Sequence, residues 1–473
     1  MILDTEEIRA AVSGKWLLKS AHLPPTIDSL LISTDSRLRL KDHLFIALEG
    51  ENFDGHNFIA QAAKTGASMI CLSKSKLHHA DDCDLPLLIV NDTLSAYRKI
   101  SELNRDKSRA KIIAITGTCG KTATKDFLYK ILAESFGEDS VIATQGNTNN
   151  QIGVPLNLLR ISEKHRFAII EMGTNHFGEI ELLSLCAKPD SAIISSIGRG
   201  HLEFLKNIEG VAREKSSVFK GMKAGGTAII PALCEFRNIL EKTAEKSGAK
   251  VLSFSTTASK EADISASCLK ISADGTEIEI FFKQSGEKRK LFLPIPGVHQ
   301  VSNAMAAAIC ALSYGAGIDS VCSALEKLSL NGMRMKKRNI LGISIINDAY
   351  NSNPESAKAG ISWLAESMPK DSSPFVFLGD MLELGEKSQS LHDELLDYAF
   401  KKLPAAKIIA VGKQMTISAK KTNRNILSFP HSEDAAKFAL STLREGDIVY
   451  LKGSRGTAME KIEKILEASP SRA

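Results

Sequence analysis

The segment Ile115-Thr-Gly-Thr-Cys-Gly-Lys-Thr122 has the residue types and spacing of a phosphate-binding loop. It follows an apolar run and precedes apolar residues at helical spacing, so a strand, a glycine turn and a helix are expected in that order. This arrangement points backbone N–H groups and the positive end of a helix at one spot, which suits a phosphate. Lys121 would reach the terminal phosphates, and the Thr122 hydroxyl would ligate Mg²⁺. The sequence therefore predicts a nucleoside triphosphate bound at Gly117, Thr118, Cys119, Gly120, Lys121 and Thr122.

Two polar residues follow neighbouring predicted strands. Glu171 ends the apolar run Ala168–Met172, and His201 follows the run Ala192–Ile197 by a few residues. Ligands of open α/β sheets bind beyond the carboxyl ends of the strands, so both side chains are expected near the phosphate loop. A hard cation there takes oxygen ligands and sometimes a histidine. Each residue also has a plainer interpretation, as a loop carboxylate and as a surface or helix-capping histidine.

Two further features have functions that spacing alone leaves open. Lys215 lies on a helical segment and, taken by itself, is typical of a solvated lysine. The loop 144–151 is dense in side-chain amides, which suits a polar ligand, but a loop rich in turns has the same composition. Its asparagines are Asn147, Asn149 and Asn150.

The pattern of apolar runs divides the chain into three zones, as expected for 473 residues, which exceed what one core supports. Residues 1–100 alternate short apolar runs with helical segments. Residues 101–330 contain continuous apolar runs, which are typical of a parallel sheet covered on both faces. Residues 331–473 repeat strand and helix, as in a Rossmann-like domain, although their glycines do not form the dinucleotide fingerprint. The expected fold is therefore α/β with three domains.

Two segments depart from this repeat of strands and helices. Within 251–296, the runs Cys268–Ser272 and Ile278–Phe282 flank Asp274-Gly275, which predicts a β-hairpin inserted in the middle zone. In the last zone, residues 348–354 follow a strand and precede a helix, where a second domain could close over the nucleotide. The polar residues of that segment include Asp348, Tyr350 and Asn351.

The composition argues against several classes of protein. The formal charge of +5 is small for the length and aromatic residues make up 6%, so a nucleic-acid partner is not indicated. No apolar run approaches the roughly 18 residues that suggest a membrane span. The acidic N-terminus lacks the basic and apolar regions of a signal peptide, and the 8 cysteines form no C-x-x-C pair. A cytoplasmic protein without a zinc site or a disulfide framework is expected.

Motifs along almost the whole chain resemble the Mur ligase family, the ATP-dependent amide-forming enzymes of peptidoglycan synthesis. The loop Gly117–Thr122 and the segment Pro296–Asn303, of pattern P-G-x-H-x-x-x-N, are similar to motifs shared across that family. Finer features resemble the member that joins D-alanyl-D-alanine to a UDP-N-acetylmuramoyl tripeptide; they are Gln145–Leu159, Glu171–Ile180, Leu378–Gly385 and Lys452–Arg455. The resemblance implies these two substrates, ATP as cofactor and an acyl-phosphate intermediate. A monomer is expected.

The resemblance also implies catalytic roles for matching residues. Lys121 would contact the β- and γ-phosphates, and Thr122 and Glu171 would hold one Mg²⁺. His201 resembles the histidine that helps to hold a second Mg²⁺. Lys215 matches a lysine that is carbamylated in related ligases, although Ser-Ser-Val-Phe follows it here in place of the usual Gly-Glu-Ile-Phe.

Other residues are implied in binding. On the nucleotide they are Asn303, Arg334 and Asp348. The arginine usually follows its glycine directly, whereas one residue separates Gly332 from Arg334 here, which leaves open which residue reaches the phosphates. On the other substrates they are Ser36, Arg37, Asp54, His56, Asn147, Asn149, Asn150, Tyr350 and Asn351.

Three other functions fit parts of the pattern. Folylpolyglutamate synthetase, a ligase of the same superfamily, is disfavoured by the N-terminal zone and by the segment Glu171–Ile180. A P-loop ATPase that drives motion or assembly would need a strand ending in Asp where Glu171 stands. A nucleotide-binding regulator without catalysis would tolerate the loss of His201 or Lys215, and both are present.

Overall fold

Three β-sheets, each packed against helices, form the framework of the molecule. The computed structural model describes residues 1–19, 22–39, 41–50, 52–329, 335–368, 372–422, 424 and 426–468. The three sheets lie within residues 15–90, 111–293 and 336–452, so each falls inside one of the zones expected from the sequence. The predicted α/β fold with three domains is confirmed.

The N-terminal domain carries a five-stranded sheet. Its elements are β1 (Ile2–Asp4), α1 (Thr5–Ala11), β2 (Lys15–Leu17), β3 (Thr26–Asp28), β4 (Ile32–Ser33), β5 (His43–Ile46), β6 (Glu49–Gly50), β7 (Phe53–Asp54), α2 (Ile59–Thr65), β8 (Ala67–Ser73), β9 (Leu87–Val90) and α3 (Thr93–Lys107). The strand order is β2-β9-β8-β5-β4, with β2 antiparallel to β9 and the other neighbours parallel. Helix α3 runs across the predicted domain limit at residue 100.

The central domain carries a nine-stranded sheet. Its elements are β10 (Lys111–Thr116), α4 (Lys121–Phe136), β11 (Val141–Ala143), α5 (Gly153–Leu159), β12 (Phe167–Glu171), α6 (Glu179–Ala187), β13 (Ser191–Ile194), α7 (Leu202–Leu205), α8 (Ile208–Ser216), β14 (Thr227–Pro231), α9 (Arg237–Lys246), β15 (Lys250–Ser255), β16 (Ile264–Ile271), β17 (Thr276–Phe282), β18 (Glu287–Leu293), α10 (Val298–Ser313) and α11 (Ile318–Leu325). The strand order is β11-β12-β10-β13-β14-β15-β16-β17-β18.

Strand β10 shows why the central strands are continuous apolar runs. Ile113 and Ile115 pack in a core with residues of α4 and α10, on one face of the sheet. Ile112 and Ala114 pack in a second core with residues of α6 and α9, on the other face. Because helices cover both faces, neither set of alternating residues contacts water. The predicted phosphate loop begins at the carboxyl end of this buried strand.

The hairpin predicted around Asp274-Gly275 is present. Strands β16 and β17 pair antiparallel across this turn, from Ile271 opposite Thr276 to Ile264 opposite Phe282. The segment is not a separate insertion, because β16 also pairs with β15 in parallel and continues the central sheet.

The C-terminal domain carries a six-stranded sheet. Its elements are β19 (Lys336–Ile340), β20 (Ile343–Asp348), α12 (Pro354–Ser367), β21 (Phe375–Gly379), α13 (Ser388–Lys402), β22 (Lys407–Val411), α14 (Lys413–Lys421), β23 (Leu427–Phe429), α15 (Ser432–Thr442), β24 (Ile448–Lys452) and α16 (Glu460–Glu467). The order is β19-β20-β24-β21-β22-β23, parallel except for the edge strand β19. This is the Rossmann-like arrangement expected from the sequence.

Helix α3 joins the N-terminal and central domains through buried contacts. The guanidinium of Arg105 donates to the carbonyl of Ala187 at 2.9 Å and pairs with Asp190 at 3.0 Å. The Asn104 amide donates to the carbonyl of Leu158 at 2.8 Å. Leu159, from the central domain, is part of the N-terminal hydrophobic core. The two domains therefore share one continuous buried region.

Candidate active site

The predicted phosphate loop connects β10 to α4 and depends on glycine at two positions. Gly117 and Gly120 have φ angles of 148° and 82°, in the region that favours glycine. A Cβ atom on Gly117 would collide with the Ser195 hydroxyl, and one on Gly120 with the side-chain oxygen of Asn303. The loop is therefore closely surrounded, with its backbone turned toward the start of α4.

The loop after β13 supports the phosphate loop. The backbone N–H of Thr118 donates to the carbonyl of Ser196, and that of Cys119 donates to the Ser196 hydroxyl, both at 2.9 Å. The Thr118 hydroxyl accepts from the N–H of Gly198 at 3.0 Å. Lys121 Nζ donates to the carbonyl of Gly117 at 2.7 Å, so the ammonium group already lies along the loop. We call residues 195–201 the support loop.

Glu171 is buried at the centre of the polar residues beside this loop. Its carboxylate accepts from the Thr122 hydroxyl at 2.9 Å and, through its other oxygen, from the Asn149 amide at 2.9 Å. Its backbone N–H donates to the Thr144 hydroxyl at 2.9 Å, which fixes the end of β12. The structure thus brings together Thr122, Glu171 and Asn149, three of the predicted site residues.

The Thr122 and Glu171 oxygens are suited to hold one Mg²⁺, whose remaining ligands would be phosphate and water oxygens. An octahedral ion with ligand distances of about 2.1 Å holds neighbouring ligands about 3 Å apart, close to the 2.9 Å between these two oxygens. Among the described residues, no group of three or more His, Cys, Asp or Glu side chains could hold a metal by itself. A site that shares its ion with a nucleotide needs no such group.

His201 pairs with a residue of the C-terminal domain. Its Nδ1 lies 2.6 Å from Oε2 of Glu383, in the loop after β21. Burial lowers the pKa of His201, and the contact with Glu383 opposes this without reversing it. The contact with His201 lowers the pKa of the Glu383 carboxyl. Both shifts favour a neutral imidazole beside an ionised carboxylate, and among the described residues Nδ1 of His201 has no hydrogen-bond partner of ordinary geometry.

Lys215 is not solvated, contrary to its interpretation in isolation. It lies on α8 with 0% of its surface exposed, and among the described residues its Nζ has no hydrogen-bond partner. Burial lowers its pKa well below the ordinary value, and the charge of Lys121 acts in the same direction. A buried, unpaired amine of this kind is held neutral.

The predicted residues of the C-terminal domain surround a buried lysine. Lys452 pairs with Asp348 at 3.0 Å and donates to the carbonyl of Asn351 at 2.8 Å. The Tyr450 hydroxyl also donates to Asp348, at 3.1 Å. Tyr350 is half-buried in the same segment. Arg334 lies outside the described residues.

Asn303 lies on α10 and contacts the phosphate loop from behind. Its side-chain oxygen accepts from the Thr124 hydroxyl at 3.4 Å, and its amide nitrogen donates to Gln300 at 3.1 Å. The other predicted asparagines shape their own loop, because Asn150 accepts from the N–H of Gly153 at 2.9 Å and Asn147 accepts from Asn149 at 3.3 Å. Both Asn147 and Asn150 are exposed.

Several residues that join the central and C-terminal domains escaped the sequence analysis. Arg199, on the support loop, pairs with Glu355 of α12 at 2.7 Å and with Glu394 of α13 at 2.9 Å. Cys119 Sγ lies 3.0 Å from the amide nitrogen of Asn353, which caps α12. Cys119 belongs to the predicted phosphate loop, Asn353 to the segment 348–354 and Glu383 to the Leu378–Gly385 motif, whereas no spacing pattern marks Arg199, Glu355 or Glu394.

A second candidate site lies in the N-terminal domain. A cavity of about 400 Å³ is lined by Thr34, Asp35, Ser36, Arg37, Phe53, Phe58 and Gln61. The rings of Phe53 and Phe58 stack with centroids 4.9 Å apart, and 54% of Phe53 is exposed. The Arg37 guanidinium makes two hydrogen bonds of 2.8 Å to Asp35 and lowers the pKa of that carboxyl to about 2. Ser36 and Arg37 are thus brought together at one cavity.

Asp54 and His56 form a separate, internally satisfied pair. His56 is buried; its Nδ1 donates to Asp54 at 2.6 Å, and its Nε2 accepts from the N–H of Ser73 at 3.0 Å. Lys76 pairs with the other Asp54 oxygen at 2.9 Å. Burial opposes ionisation of Asp54, but the hydrogen bonds from Lys76 and His56 outweigh it and hold the pKa below its usual range. Both ring nitrogens of His56 are therefore already engaged.

Comparisons with known proteins agree with this architecture. The family model described as the Mur ligase middle domain matches residues 115–311, and the one described as the Mur ligase glutamate ligase domain matches residues 333–455. A Bacillus subtilis protein named UDP-N-acetylmuramoyl-tripeptide–D-alanyl-D-alanine ligase is 32% identical over 452 residues, covering 93% of each chain.

Solved structures match over the same extent. A crystal structure of MurF from Acinetobacter baumannii is 28% identical and covers 99% of each chain, with a TM-score of 0.88. The MurF ligase from Thermotoga maritima in complex with ADP is 25% identical and covers 93% of this chain and 98% of its own, with a TM-score of 0.80. Among the described residues, no helix has the length and apolarity needed to cross a membrane.

Proposed function

Because the chain belongs to the Mur ligase family, we propose that it uses ATP to join D-alanyl-D-alanine to the tripeptide carboxylate of UDP-N-acetylmuramoyl tripeptide. The observation that carries this proposal is the similarity, over 93% of the chain, to a ligase named for that reaction. The cluster of Thr122, Glu171 and Asn149 beside the phosphate loop supports it, since this is where the chemistry needs a nucleotide. The need for ATP supports a cytoplasmic location, and we retain the expectation of a monomer.

The reaction requires activation of a carboxylate. Its own leaving group would be oxide, so an amine cannot displace it directly. Attack of a carboxylate oxygen on the γ-phosphorus of ATP releases ADP and forms an acyl phosphate. The amine of D-alanyl-D-alanine then attacks the carbonyl carbon, loses a proton and expels phosphate. The first step depends on bringing two anions, the carboxylate and ATP, into line and on stabilising the charge of the transferred phosphoryl group.

The chain's own residues suit this task. Lys121 would move its ammonium group from the carbonyl of Gly117 to the terminal phosphates. Glu171 and Thr122 would hold a Mg²⁺, and His201 a second one; bound there, the ions would neutralise phosphate charge and orient the γ-phosphoryl group. Asn303 contacts Thr124 of the helix that follows the loop, and Asp348 belongs to the segment whose Asn353 contacts Cys119 of the loop, so both would bind the nucleotide.

Lys215 suits carbamylation. Addition of carbon dioxide to a neutral lysine amine gives a carbamate anion and releases a proton, so the reaction needs an amine whose pKa is lowered. The Nζ atom of Lys215 is buried and unpaired, which meets that requirement. The resulting carboxylate would supply a negative group near Lys121 and His201. Besides burial, the charge of Lys121 lowers the pKa of Lys215, and the charge of Lys215 lowers the pKa of His201.

Substitutions in the N-terminal cavity should affect binding of the UDP substrate selectively. Phe53 presents an exposed face above Phe58, on which a uracil ring could stack, and such stacking is worth about 1–3 kcal/mol per base. We expect Phe53→Ala to raise the KM for the UDP substrate about tenfold and to leave the KM for ATP unchanged. Steady-state kinetics with each substrate varied in turn measures both constants.

A second exposed phenylalanine provides the control for this prediction. Phe292 lies on the edge strand β18 of the central sheet, and Phe292→Ala should leave both KM values unchanged. An unchanged KM for the UDP substrate in Phe53→Ala, or an equal rise in the KM for ATP, would contradict a uridine site at this cavity.

Phosphate release by the purified chain tests the function as a whole. MgATP, UDP-N-acetylmuramoyl tripeptide and D-alanyl-D-alanine are supplied together and then omitted one at a time, and the product is weighed by mass spectrometry. We expect release only when all three are present, with formation of a UDP-linked pentapeptide. Release with MgATP alone, indifferent to the other two, would overturn the ligase proposal and favour an ATPase.

A further inference from the structure

The segment between β12 and α6 leads from Glu171 to an exposed histidine, His176. The start of this segment is tied to the loop 144–151, because the N–H of Gly173 donates to the carbonyl of Asn149 at 2.8 Å. The side chain of His176 is 59% exposed. It is a titratable group at the carboxyl edge of the central sheet, and none of the roles described above uses it.

The backbone of His176 is tied to helix α8, which carries Lys215. The carbonyl of His176 accepts from the Thr174 hydroxyl at 2.7 Å, and that hydroxyl lies 3.5 Å from the carboxylate of Glu214, the residue before Lys215. The Glu214 carboxylate is buried and also accepts from the N–H of Gly178 at 2.8 Å. The segment therefore runs from Glu171 toward the helix of the buried lysine.

The ring of His176 contacts residues on the side of His201. It packs against the ring of Phe204 with centroids 4.4 Å apart, and the N–H of Phe204 donates to the carbonyl of His201 at 3.1 Å. The contact with His201 lowers the pKa of Glu383, and the charge of His176 acts in the same direction. His176 thus lies among residues that lead to Glu171, Lys215 and His201, on three sides of the candidate active site.

The carboxylate of Glu179 holds this segment in place. One of its oxygens accepts from the Thr174 hydroxyl and the N–H of Asn175, both at 2.8 Å, and from the N–H of His176 at 3.1 Å. Burial opposes ionisation of Glu179, but these hydrogen bonds outweigh it and lower its pKa. The other oxygen lies 3.6 Å from Nδ1 of His176. An anion therefore stands beside one ring nitrogen, whereas Nε2 has no hydrogen-bond partner among the described residues.

The second step of the reaction needs a group that accepts a proton. The α-amino group of D-alanyl-D-alanine is an ammonium ion at neutral pH, and its nitrogen has no lone pair for attack until a proton leaves. Imidazole exchanges protons near neutral pH and is the side chain most often used for this task. The charged groups that act on His176 are Glu179 and Glu383, and both anions would stabilise the imidazolium ion that forms.

Building on the proposed function, we infer that His176 is the general base of the second step, and that its Nε2 takes a proton from the α-ammonium group of D-alanyl-D-alanine. The neutral amine then attacks the carbonyl carbon of the acyl phosphate, so that the C–N bond forms and the C–O bond to phosphate breaks. The nitrogen gives its second proton to the departing phosphate. The exposed imidazole gives the first proton to water.

Two acceptors separate removal of this proton from activation of the carboxylate. D-alanyl-D-alanine needs a base, whereas hydroxylamine is uncharged at neutral pH and converts the acyl phosphate to a hydroxamate without one. We expect His176→Gln to form the pentapeptide about 10²-fold more slowly than wild type, with a KM for D-alanyl-D-alanine within about threefold of wild type. The same variant should form the hydroxamate at the wild-type rate, which also shows that it is folded.

A second histidine and the pH dependence provide the controls. His431 is exposed at the start of α15, and its side chain does not cap that helix, so His431→Gln should keep both rates. The difference in pentapeptide rate between wild type and His176→Gln should shrink as the pH rises above about 8, the ordinary pKa of an α-amino group, because the acceptor is then neutral without help.

Three results would overturn the inference: a wild-type rate of pentapeptide formation in His176→Gln, an equal loss with both acceptors, or a difference in rate that does not shrink at high pH. A wild type that formed no pentapeptide would overturn the proposed function and this inference with it. That outcome is recognised from the wild type alone, before any variant is compared.

Discussion

Replacing Lys121 by methionine is expected to lower kcat by about 10²- to 10³-fold while the protein remains folded. The ammonium group of Lys121 lies along the carbonyls of the phosphate loop and is the cation best placed to stabilise charge on the transferred phosphoryl group. Methionine fills a similar volume but carries no charge, so the loss should appear in turnover more than in folding. Single-turnover measurement of acyl-phosphate formation isolates the step concerned.

Lys130 offers a matched control on the same helix. It is an exposed residue of α4, so Lys130→Met should retain the wild-type rate. A Lys121→Met variant that turns over within threefold of wild type would contradict the role assigned to the loop.

Replacing Lys215 by methionine is expected to abolish most of the activity and, at neutral pH, to raise the free energy of unfolding. Burial lowers the pKa of Lys215 in the folded protein well below the ordinary value of 10.5. Between those two values the unfolded chain binds more protons than the folded one, so wild-type stability rises with pH. Methionine has no proton to lose, and its advantage should therefore shrink as the pH approaches 10.5. Denaturant unfolding at several pH values, in buffer freed of carbon dioxide, measures this difference.

The activity of Lys215 variants tests carbamylation directly. If the carbamate anion is what the site needs, Lys215→Ala should lose about 10²- to 10³-fold in kcat and regain part of it with added acetate or formate. Lys220→Met is the control, since Lys220 lies just after α8, is exposed and pairs with Glu181. Full activity of Lys215→Met would rule out the catalytic role, and a pH dependence of stability identical to that of wild type would rule out a lowered pKa of the buried amine.

The sequence alone predicts those parts of the site that are formed by residues adjacent in the chain. The strand, turn and helix around Gly117–Thr122 are adjacent in the chain, and the β-hairpin follows from Asp274-Gly275. The position of Glu171 could also be predicted from the sequence, because in a parallel sheet every strand brings its carboxyl end to the same edge. Its hydrogen bond to Thr122 needs no information beyond the order of the strands.

Contacts between domains could not be predicted in this way. The partner of His201 depends on how the C-terminal domain sits against the support loop, and no periodicity in the sequence encodes that placement. Arg199 and Glu355 are ordinary surface residues by composition and become a pair only in the assembled molecule. Burial was equally hidden for Lys215, because an amphipathic helix can turn a lysine toward either side.

His56 shows a different limit. A histidine in the polar segment 50–56 has the composition of a ligand-binding residue, and its motif is similar to one of a binding segment. In the structure both ring nitrogens are used, by Asp54 and by the backbone of Ser73. His56 would therefore contribute to substrate binding only by orienting Asp54. A role of either residue in binding stays a prediction.

The buried contacts of α3 fix the distance between the N-terminal cavity and the phosphate loop. Arg105 and Asn104 bind backbone carbonyls of the central domain, so the cavity near Arg37 and the phosphate loop cannot change their separation without breaking buried hydrogen bonds. The C-terminal domain contacts the central domain through partly exposed side chains such as Arg199 and Glu394, and also through Leu202 and Leu205, which are buried in its core. A substrate anchored by its uridine end would present its carboxylate to the γ-phosphate only if its peptide had the matching reach. Peptide length would then be selected by a span set in the scaffold, before any side chain of the peptide is recognised.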